Sequence, residues 1–314
     1  MSENTKSWAL HIGLLVALFV LQFVLPAYHQ GNISRILVLA VFAMGYNVMF
    51  GYTGLLSLGH ALFFAAGMYG MGLSIQHLGF SPGQAFVAGI CSAVLVTAIV
   101  GILALRTSGV AFMIVTLMFA QSGYLAVLYF GEYTRGDEGF VIKQAQRVFA
   151  NVDLSDATNR YFAALILFSI CIIATLALVR SQFGHVLIAI RENEDRALML
   201  GYDTYKYKLA AILISGLICG AAGAGYGLLF GYVGANFAAV QYSIYPLLWV
   251  LLGGAGTILG PFFGTLFMFY LIDLASDLTS AYMLIAGLAL VLLTLFARSG
   301  LMGEVRKRVL PWLP

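Results

Sequence analysis

The chain has 314 residues, of which 61% are hydrophobic and 9% charged, and carries a net charge of +3. A soluble domain is nearer about 45–50% apolar, so a water-soluble globule is excluded, and so small and dispersed a charge gives nucleic acid no footing. Cys91, Cys171 and Cys219 all fall in apolar runs, supply neither a disulfide framework nor a metal-ligand spacing, and read as buried small hydrophobes.

A bilayer core about 30 Å thick takes about 20 apolar residues of helix. Runs of that kind occupy residues 9–27, 33–50, 56–76, 84–105, 110–129, 161–179, 208–232, 244–272 and 282–297. They predict an all-α fold: a polytopic transmembrane helical bundle of about eight to ten membrane segments, some short or broken. Residues 1–314 read as one transmembrane domain. A transmembrane barrel would instead show short alternating segments. The first run follows a single Lys6 and exceeds the roughly 7–15 residues of a signal-peptide core, so it reads as a retained span. Trp8 and Trp312, near the ends of the apolar region, read as interface anchors.

Orientation follows Lys and Arg in short loops. Residues 180–208 contain Arg180, Arg191, Arg196, Lys206 and Lys208, and the tail 298–314 contains Arg298, Arg306, Lys307 and Arg308. Both are placed inside. The loop 131–160, with more acidic than basic residues, is placed outside. Arg106 and the N-terminus then fall inside by alternation, and only Arg35 is out of place. An even number of crossings must separate 208 from the basic tail, yet three apolar runs lie between them. The middle run contains Gly253-Gly254-Ala255-Gly256 and Gly260-Pro261. Irregular backbone at membrane depth survives only where protein or a watery cavity satisfies it, so 244–272 is predicted to be two short segments.

A second interruption, Gly51-Tyr52-Thr53-Gly54 through Ser57 to His60, follows the 33–50 run. Broken segments in both halves of a chain point to a solute pathway. Asn47, Gly51, Tyr52, Thr53, Gly54, Ser57, His60, Gly253, Gly254 and Gly256 are therefore the pathway candidates. The plainer reading is close helix packing through small residues, and His60 also reads as a hydrogen-bonding residue at a helix start. Gly231-Tyr232-Val233-Gly234 echoes Gly51-Tyr52-Thr53-Gly54 on the opposite face, a weak sign of inverted repetition.

No Lys follows a Gly, which excludes a P-loop, and H-E-x-x-H, C-x-x-C and G-x-S-x-G are all missing. Charges at mid-bilayer cost about 2.5–3.5 kcal/mol and are kept only for work. Apart from Arg35 and Lys208 near run starts, the ionisable groups in the apolar runs are His11, His60 and, at the end of a run, Asp273 and Asp277, read as an outer interfacial end. No ion relay emerges, although backbone carbonyls alone can hold sodium. What stands out is the island from Arg180 to Lys208, with nine of the 29 charged residues: a docking surface, or simply a solvated loop.

The stretch Asn47 to Gly59 (N-V-M-F-G-Y-T-G-L-L-S-L-G) with His60, Ala61 and Phe63 resembles the N-terminal signature of branched-chain amino acid ABC transporter permeases of the LivM type. Ala189 to Glu194 (A-I-R-E-N-E), Tyr205 to Leu209 (Y-K-Y-K-L) and Leu252 to Pro261 (L-G-G-A-G-T-I-L-G-P) resemble further segments of that family. The resemblance implies a permease of the bacterial inner membrane, non-enzymatic and multi-pass. It implies a second homologous permease, two ATPase subunits that bind ATP and Mg, and a periplasmic solute-binding protein as partners. No cofactor or metal is implied for the chain itself.

It further implies that 180–208 is a cytoplasmic coupling loop. Asp195-Arg196-Ala197-x-x-x-Gly201 is similar to the E-A-A-x-x-x-G of import permeases, so Arg191, Glu192, Glu194, Asp195, Ala197, Leu198 and Gly201 are assigned to ATPase coupling. Leu198 and Leu200 would lie on one side of a short helix seated in the ATPase. The 131–160 loop becomes periplasmic, with Thr134, Arg135, Asp137 and Glu138 facing the binding protein. There the chain departs from the family's usual T-G-G-x-[DN]-G, reading Thr134-Arg135-Gly136-Asp137-Glu138-Gly139. The cargo is therefore a branched-chain or related amino acid, or alternatively urea, an amide or an aromatic acid. A self-sufficient secondary transporter or channel, and a membrane enzyme, are the readings of a different class.

Overall fold

A computed structural model describes residues 3–149, 152–279, 281–296 and 299–308. Lys6 is described in its backbone alone, and Arg298 and Trp312 lie outside the described residues. The membrane part comprises α1 (Glu3–Val24), α2 (Ala27–Asn47, prolonged by a π-turn through Val48–Tyr52), α3 (His60–Leu78), α4 (Pro82–Ala104) and α5 (Gly109–Tyr129). After the short α6 (Gly131–Thr134) come α7 (Ala157–Arg180), α8 (Gln182–Glu192), α9 (Glu194–Met199) and α10 (Thr204–Phe230). The chain then forms α11 (Gln241–Gly253), α12 (Gly260–Leu278), α13 (Tyr282–Phe296) and α14 (Gly300–Arg308). Six of these, including the prolonged α2, are long and apolar enough to cross a bilayer unaided. The run 244–272 is two helices, α11 and α12, as the parity of the basic loops requires.

The α2 helix is the axis of the molecule. From Asn32 to Asn47 only Arg35 is exposed, and Ile36 through Met44 form the centre of the core. Around it pack α7, α10, α11 and α12, while α3, α4 and α10 form a second, tighter group. That group meets through glycine: a Cβ on Gly67 of α3 would lie 2.7 Å from the Gly220 Cα of α10. In hydrocarbon no hydrophobic drive separates inside from outside, and close backbone approach through small residues takes its place.

α5, α1 and α4 keep much of their apolar surface exposed, as lipid-facing helices do. Cys91 on α4 is exposed, contrary to its reading as a buried residue, whereas Cys171 and Cys219 are buried. Arg35, the exception to the charge rule, lies with its guanidinium 5.4 Å from the centre of the Phe230 ring, which Arg160 flanks at 5.5 Å. Asp273 accepts from the Tyr28 hydroxyl at 2.7 Å and from Asn32 at 3.2 Å, tying the start of α2 to the end of α12.

The 131–160 loop folds onto the bundle. Its strand β1 (Phe140–Val141) pairs antiparallel with Tyr232–Val233, the segment after α10, with Phe140 opposite Val233. β2 (Val148–Phe149) pairs with β3 (Val152–Asp153), and Tyr232–Val233 is β4. Asp153 accepts a hydrogen bond from the Gln144 side chain at 2.7 Å, which with the Ser155 amide holds its carboxyl below the usual range.

Candidate functional site

The interruption at 51–60 has a counterpart in the segment 231–240, separate from the Gly253–Gly256 break. After α2 the chain unwinds over Thr53–Gly59 and restarts as α3 at His60; after α10 it unwinds and restarts as α11 at Gln241. The restarts meet inside the bundle. The Ala61 amide donates to Ser243 Oγ at 2.8 Å, and His60 Nε2 lies 3.0 Å from Ser215 Oγ. Ser215 stands about 16 Å along α10 from its start, well below the surface. Free N–H groups at a helix start need acceptors, and here a side chain of the opposing helix supplies one. The returning segment is satisfied the same way: Leu58 N–H donates to Thr116 Oγ1 at 3.2 Å, and the Tyr46 hydroxyl to the Ser57 carbonyl at 3.2 Å.

A second junction joins the end of α2 to the Gly253–Gly256 break. Asn47 donates from Nδ2 to the Thr257 carbonyl at 2.9 Å and accepts at Oδ1 from the Gly256 amide at 3.0 Å. One side-chain amide thus satisfies the turn between α11 and α12. Gly51 must lack a side chain here, because a Cβ would stand 2.6 Å from the Gly256 nitrogen. Gly254, at the end of α11, has φ +116, which L side chains rarely adopt.

Among the ten pathway candidates, Asn47, Gly51, Tyr52, Thr53, Ser57, His60, Gly253 and Gly254 are buried and Gly54 is exposed. Gly256 is partly exposed and lines a cleft of about 600 Å³. The structure places Ser57 and His60 at the deep junction and Asn47, Gly51 and Gly256 at the second, whereas Thr53 bonds only locally, to the Val48 carbonyl at 3.0 Å.

The island is two helices rather than the single short helix expected, and this divides the coupling candidates. Arg191 lies on α8, while Glu194, Asp195, Ala197 and Leu198 lie on α9. Val186, Ile190 and Ala197 pack together with Tyr207 at the α8–α9 junction. Ala197 is thus buried and supports the segment, not a surface for a partner. Glu194 pairs with Lys208 at the start of α10, which removes it as a free charge. Asn193 caps α9 by accepting from the Arg196 amide at 2.9 Å. Asp203 caps α10 by accepting from the Lys206 amide at 3.2 Å, and the Lys206 side chain beside it holds its carboxyl below the usual range. Glu192, Asp195 and Gly201 are exposed. Leu198, Met199 and Leu200 are 50%, 86% and 71% exposed, an apolar tip projecting from a charged segment.

Arg191 reaches back from α8 to the break in α2, where its Nη1 donates to the Gly51 carbonyl. Its stem runs over Gly54, whose missing Cβ would stand 3.0 Å from Arg191 Cγ. The charged segment is therefore hydrogen-bonded to the second junction across 140 residues of sequence. Sequence reasoning named both residues but had no signal that they meet.

In the 131–160 loop, Thr134 is buried and donates to the Val127 carbonyl at 2.6 Å and the Phe130 carbonyl at 3.0 Å. It terminates α5, so of the four binding-protein candidates it is the one not available at the surface. Arg135, Asp137 and Glu138 are exposed. Arg135 has φ +63 and stands alone among the non-glycine described residues in a left-handed conformation, which accounts for a glycine at that place in the family pattern. Arg147 is one of the basic residues of the 131–160 loop. It is buried and donates to the carbonyls of Leu228 (2.8 Å) and Leu229, at the end of α10. Burial, reinforced by Arg160 nearby, pulls its pKa down.

The model of the family described as "Branched-chain amino acid transport system / permease component" matches residues 31–296. The chain belongs to the branched-chain amino acid transport permease family. It is similar to the high-affinity branched-chain amino acid transport system permease protein LivM of Escherichia coli, with 27% identity over 94% of this chain and 76% of that protein. The LivM of Salmonella typhimurium is 25% identical over the same shares. A probable LivM of Methanocaldococcus jannaschii is 38% identical over 90 residues, 28% of this chain and 26% of its own length. As an ABC transporter permease of this family the chain is a multi-pass membrane transport subunit, not a catalytic enzyme.

Proposed function

We propose that this permease is one membrane subunit of an ATP-driven importer for branched-chain or related amino acids in the bacterial inner membrane. Its partners are a second homologous permease, two ATPases that bind ATP and Mg, and a periplasmic binding protein. Residues 180–208 and the tail from 298 face the cytoplasm, and 131–160 the periplasm.

The hydrogen bond from Arg191 to the Gly51 carbonyl carries the reading. An ATPase that seats the exposed tip Leu198–Leu200 moves α8 and α9 together, since Val186, Ile190 and Ala197 pack them as one piece. Arg191 delivers that motion to Gly51, and Asn47 links Gly51's own segment to the α11–α12 turn. Both interruptions are thus driven from one point, as a lever acting on a gate must be.

The test is co-purification of the tagged chain with the products of its neighbouring genes, for wild type and for a double variant Asp195→Arg, Leu200→Glu. Both positions are exposed, so folding is retained. An ATPase that accompanies wild type and is lost from the variant supports the reading. A folded chain that recovers no ATPase and takes up substrate unaided refutes it in favour of a self-sufficient transporter.

A further inference from the structure

We propose that the cleft between the coupling segment and α14 binds an oxoanion of the phosphate class, supplied by an anionic phospholipid headgroup of the inner leaflet or by free phosphate. The lipid source rests on the cytoplasmic placement argued above; the chemistry of the cleft does not.

The cleft, about 600 Å³, brings Arg191 of α8 and Arg306 and Lys307 of α14 around Gly256, Thr257 and Ser299. Among the described residues no carboxylate lines it. The acids nearest in sequence are Glu192, beside Arg191 and outside the lining, and Glu304, which pairs with Arg308 at 3.2 Å. Arg191 donates to the Gly51 carbonyl and Lys307 to Ser299 Oγ, both neutral, and none of the three cations has an ion-pair partner among the described residues. In a chain with 9% charged residues, three like charges around one cavity without a counter-ion are an unbalanced arrangement. Tyr52, next to the Gly51 carbonyl that Arg191 holds, is buried and has a hydroxyl without a hydrogen-bond partner among the described residues.

The wall is built rather than a loose tail. α14 lies against the Gly254 bend so closely that a Cβ on Gly300 would stand 2.5 Å from the Gly254 Cα, and one on Gly254 2.9 Å from the Gly303 nitrogen. Arg306 and Lys307 are thereby held over the α11–α12 turn. Two guanidiniums and an ammonium offer more donors and more charge than a single carboxylate uses, and they suit the several acceptor oxygens of a phosphate. α14 follows the last apolar helix by a few residues, at the level where headgroup phosphates gather and attract basic side chains. An anion held there bridges α14 to Arg191 and so bears on the same lever that the coupling segment works.

The test is native mass spectrometry of the full chain in detergent. The probes are phosphatidylglycerol, phosphatidylcholine, inorganic phosphate and leucine, each titrated against wild type, Arg306→Gln with Lys307→Gln, and Arg106→Gln as a distant basic control. Both cleft residues are exposed, so the double variant keeps its thermal midpoint. Phosphatidylglycerol is expected to bind in preference to phosphatidylcholine and to weaken about 30-fold in the double variant, with Arg106→Gln unchanged. Displacement of the lipid by inorganic phosphate, lost in the same variant, makes the source soluble; no displacement makes it the membrane. Phosphatidylglycerol and phosphate affinities that the double variant leaves within about twofold, or a loss confined to leucine, overturn the proposal. No ATPase takes part, so failure of the importer reading leaves this result readable, and the converse holds.

Discussion

Replacing Arg191 by Ala should uncouple the transporter without detaching its ATPase. The side chain makes one charge-assisted hydrogen bond, to the Gly51 carbonyl, and covers Gly54 with its methylenes. Bonds of that kind contribute about 1.5–3 kcal/mol, a factor of roughly 10 to 150 in the equilibrium between linked and unlinked arrangements. The apolar tip Leu198–Leu200 lies on and beyond α9 and is untouched by the change. With the assembled complex in proteoliposomes, we expect co-purified ATPase and ATP hydrolysis within about twofold of wild type, and uptake per ATP reduced tenfold or more. Arg191→Lys should recover little, because an ammonium on a shorter stem lacks the guanidinium fork. The double variant at Arg306 and Lys307 leaves the Gly51 bond in place and serves to separate the two roles of the cleft. Uptake per ATP that survives in Arg191→Ala would refute the lever. Uptake that falls only in proportion to lost ATPase would reassign Arg191 to the docking face.

Gly51→Ala should destabilise the chain by about 2 kcal/mol or more, since the new methyl would displace Asn47 and break its bonds to Gly256 and Thr257; an unchanged thermal midpoint in detergent would contradict the close approach. Arg147→Ala leaves the Leu228 and Leu229 carbonyls without their donor. It should cost about 2–3 kcal/mol and raise hydrogen exchange at the end of α10; exchange unchanged there would mean that water replaces the guanidinium at no cost. Arg135→Gly relieves a left-handed residue at φ +63. It should stabilise the loop by up to about 1 kcal/mol, less the extra freedom of glycine in the unfolded chain, and a fall in thermal midpoint would show that the arginine side chain contributes more than its backbone costs. Asp203, held below the usual carboxylate range in the folded chain, contributes stability above its unfolded pKa, near 4. That contribution is lost as pH falls through the lower folded value, so amide protection at Lys206 should drop first below about pH 4 and hold at neutrality.

The long runs and the glycine interruptions were legible because the bilayer imposes both length and backbone satisfaction. The basic loops then dictated that 244–272 crosses twice or turns back, and α11 and α12 are the outcome. Which face of a span looks inward was not legible. Lipid and protein interior are equally apolar, so an outward residue need not be polar; Cys91 was misplaced for that reason. Nor could contacts across the chain be read. Ala61 with Ser243, Arg147 with Leu228 and Arg191 with Gly51 join residues 182, 81 and 140 positions apart. The one local hint was that Arg147 and Arg191 are cations in a chain that spends few. The tail was expected only as a basic cytoplasmic end, whereas Gly300 and Gly303 let it pack as α14, a feature visible beforehand only as glycines spaced three apart.

The two junctions differ in a way that suits a gate. At the deep one, the starts of α3 and α11 are held by single hydroxyls, Ser243 on the Ala61 amide and Ser215 on His60. Each is a neutral bond contributing about 1 kcal/mol, easily exchanged for a solute's own polar groups. At the second one, Asn47 bonds in both directions and Arg191 adds a charge-assisted bond. A displacement applied at α8 therefore meets a stiff connection first and a compliant one beyond it. In the proposed importer, stiffness at the Asn47 junction would transmit the motion, and compliance at the deep one would let α3 and α11 part. Reversing that order, with the strong bonds deep and the weak ones at the lever, would dissipate the motion before it reached the middle of the bundle.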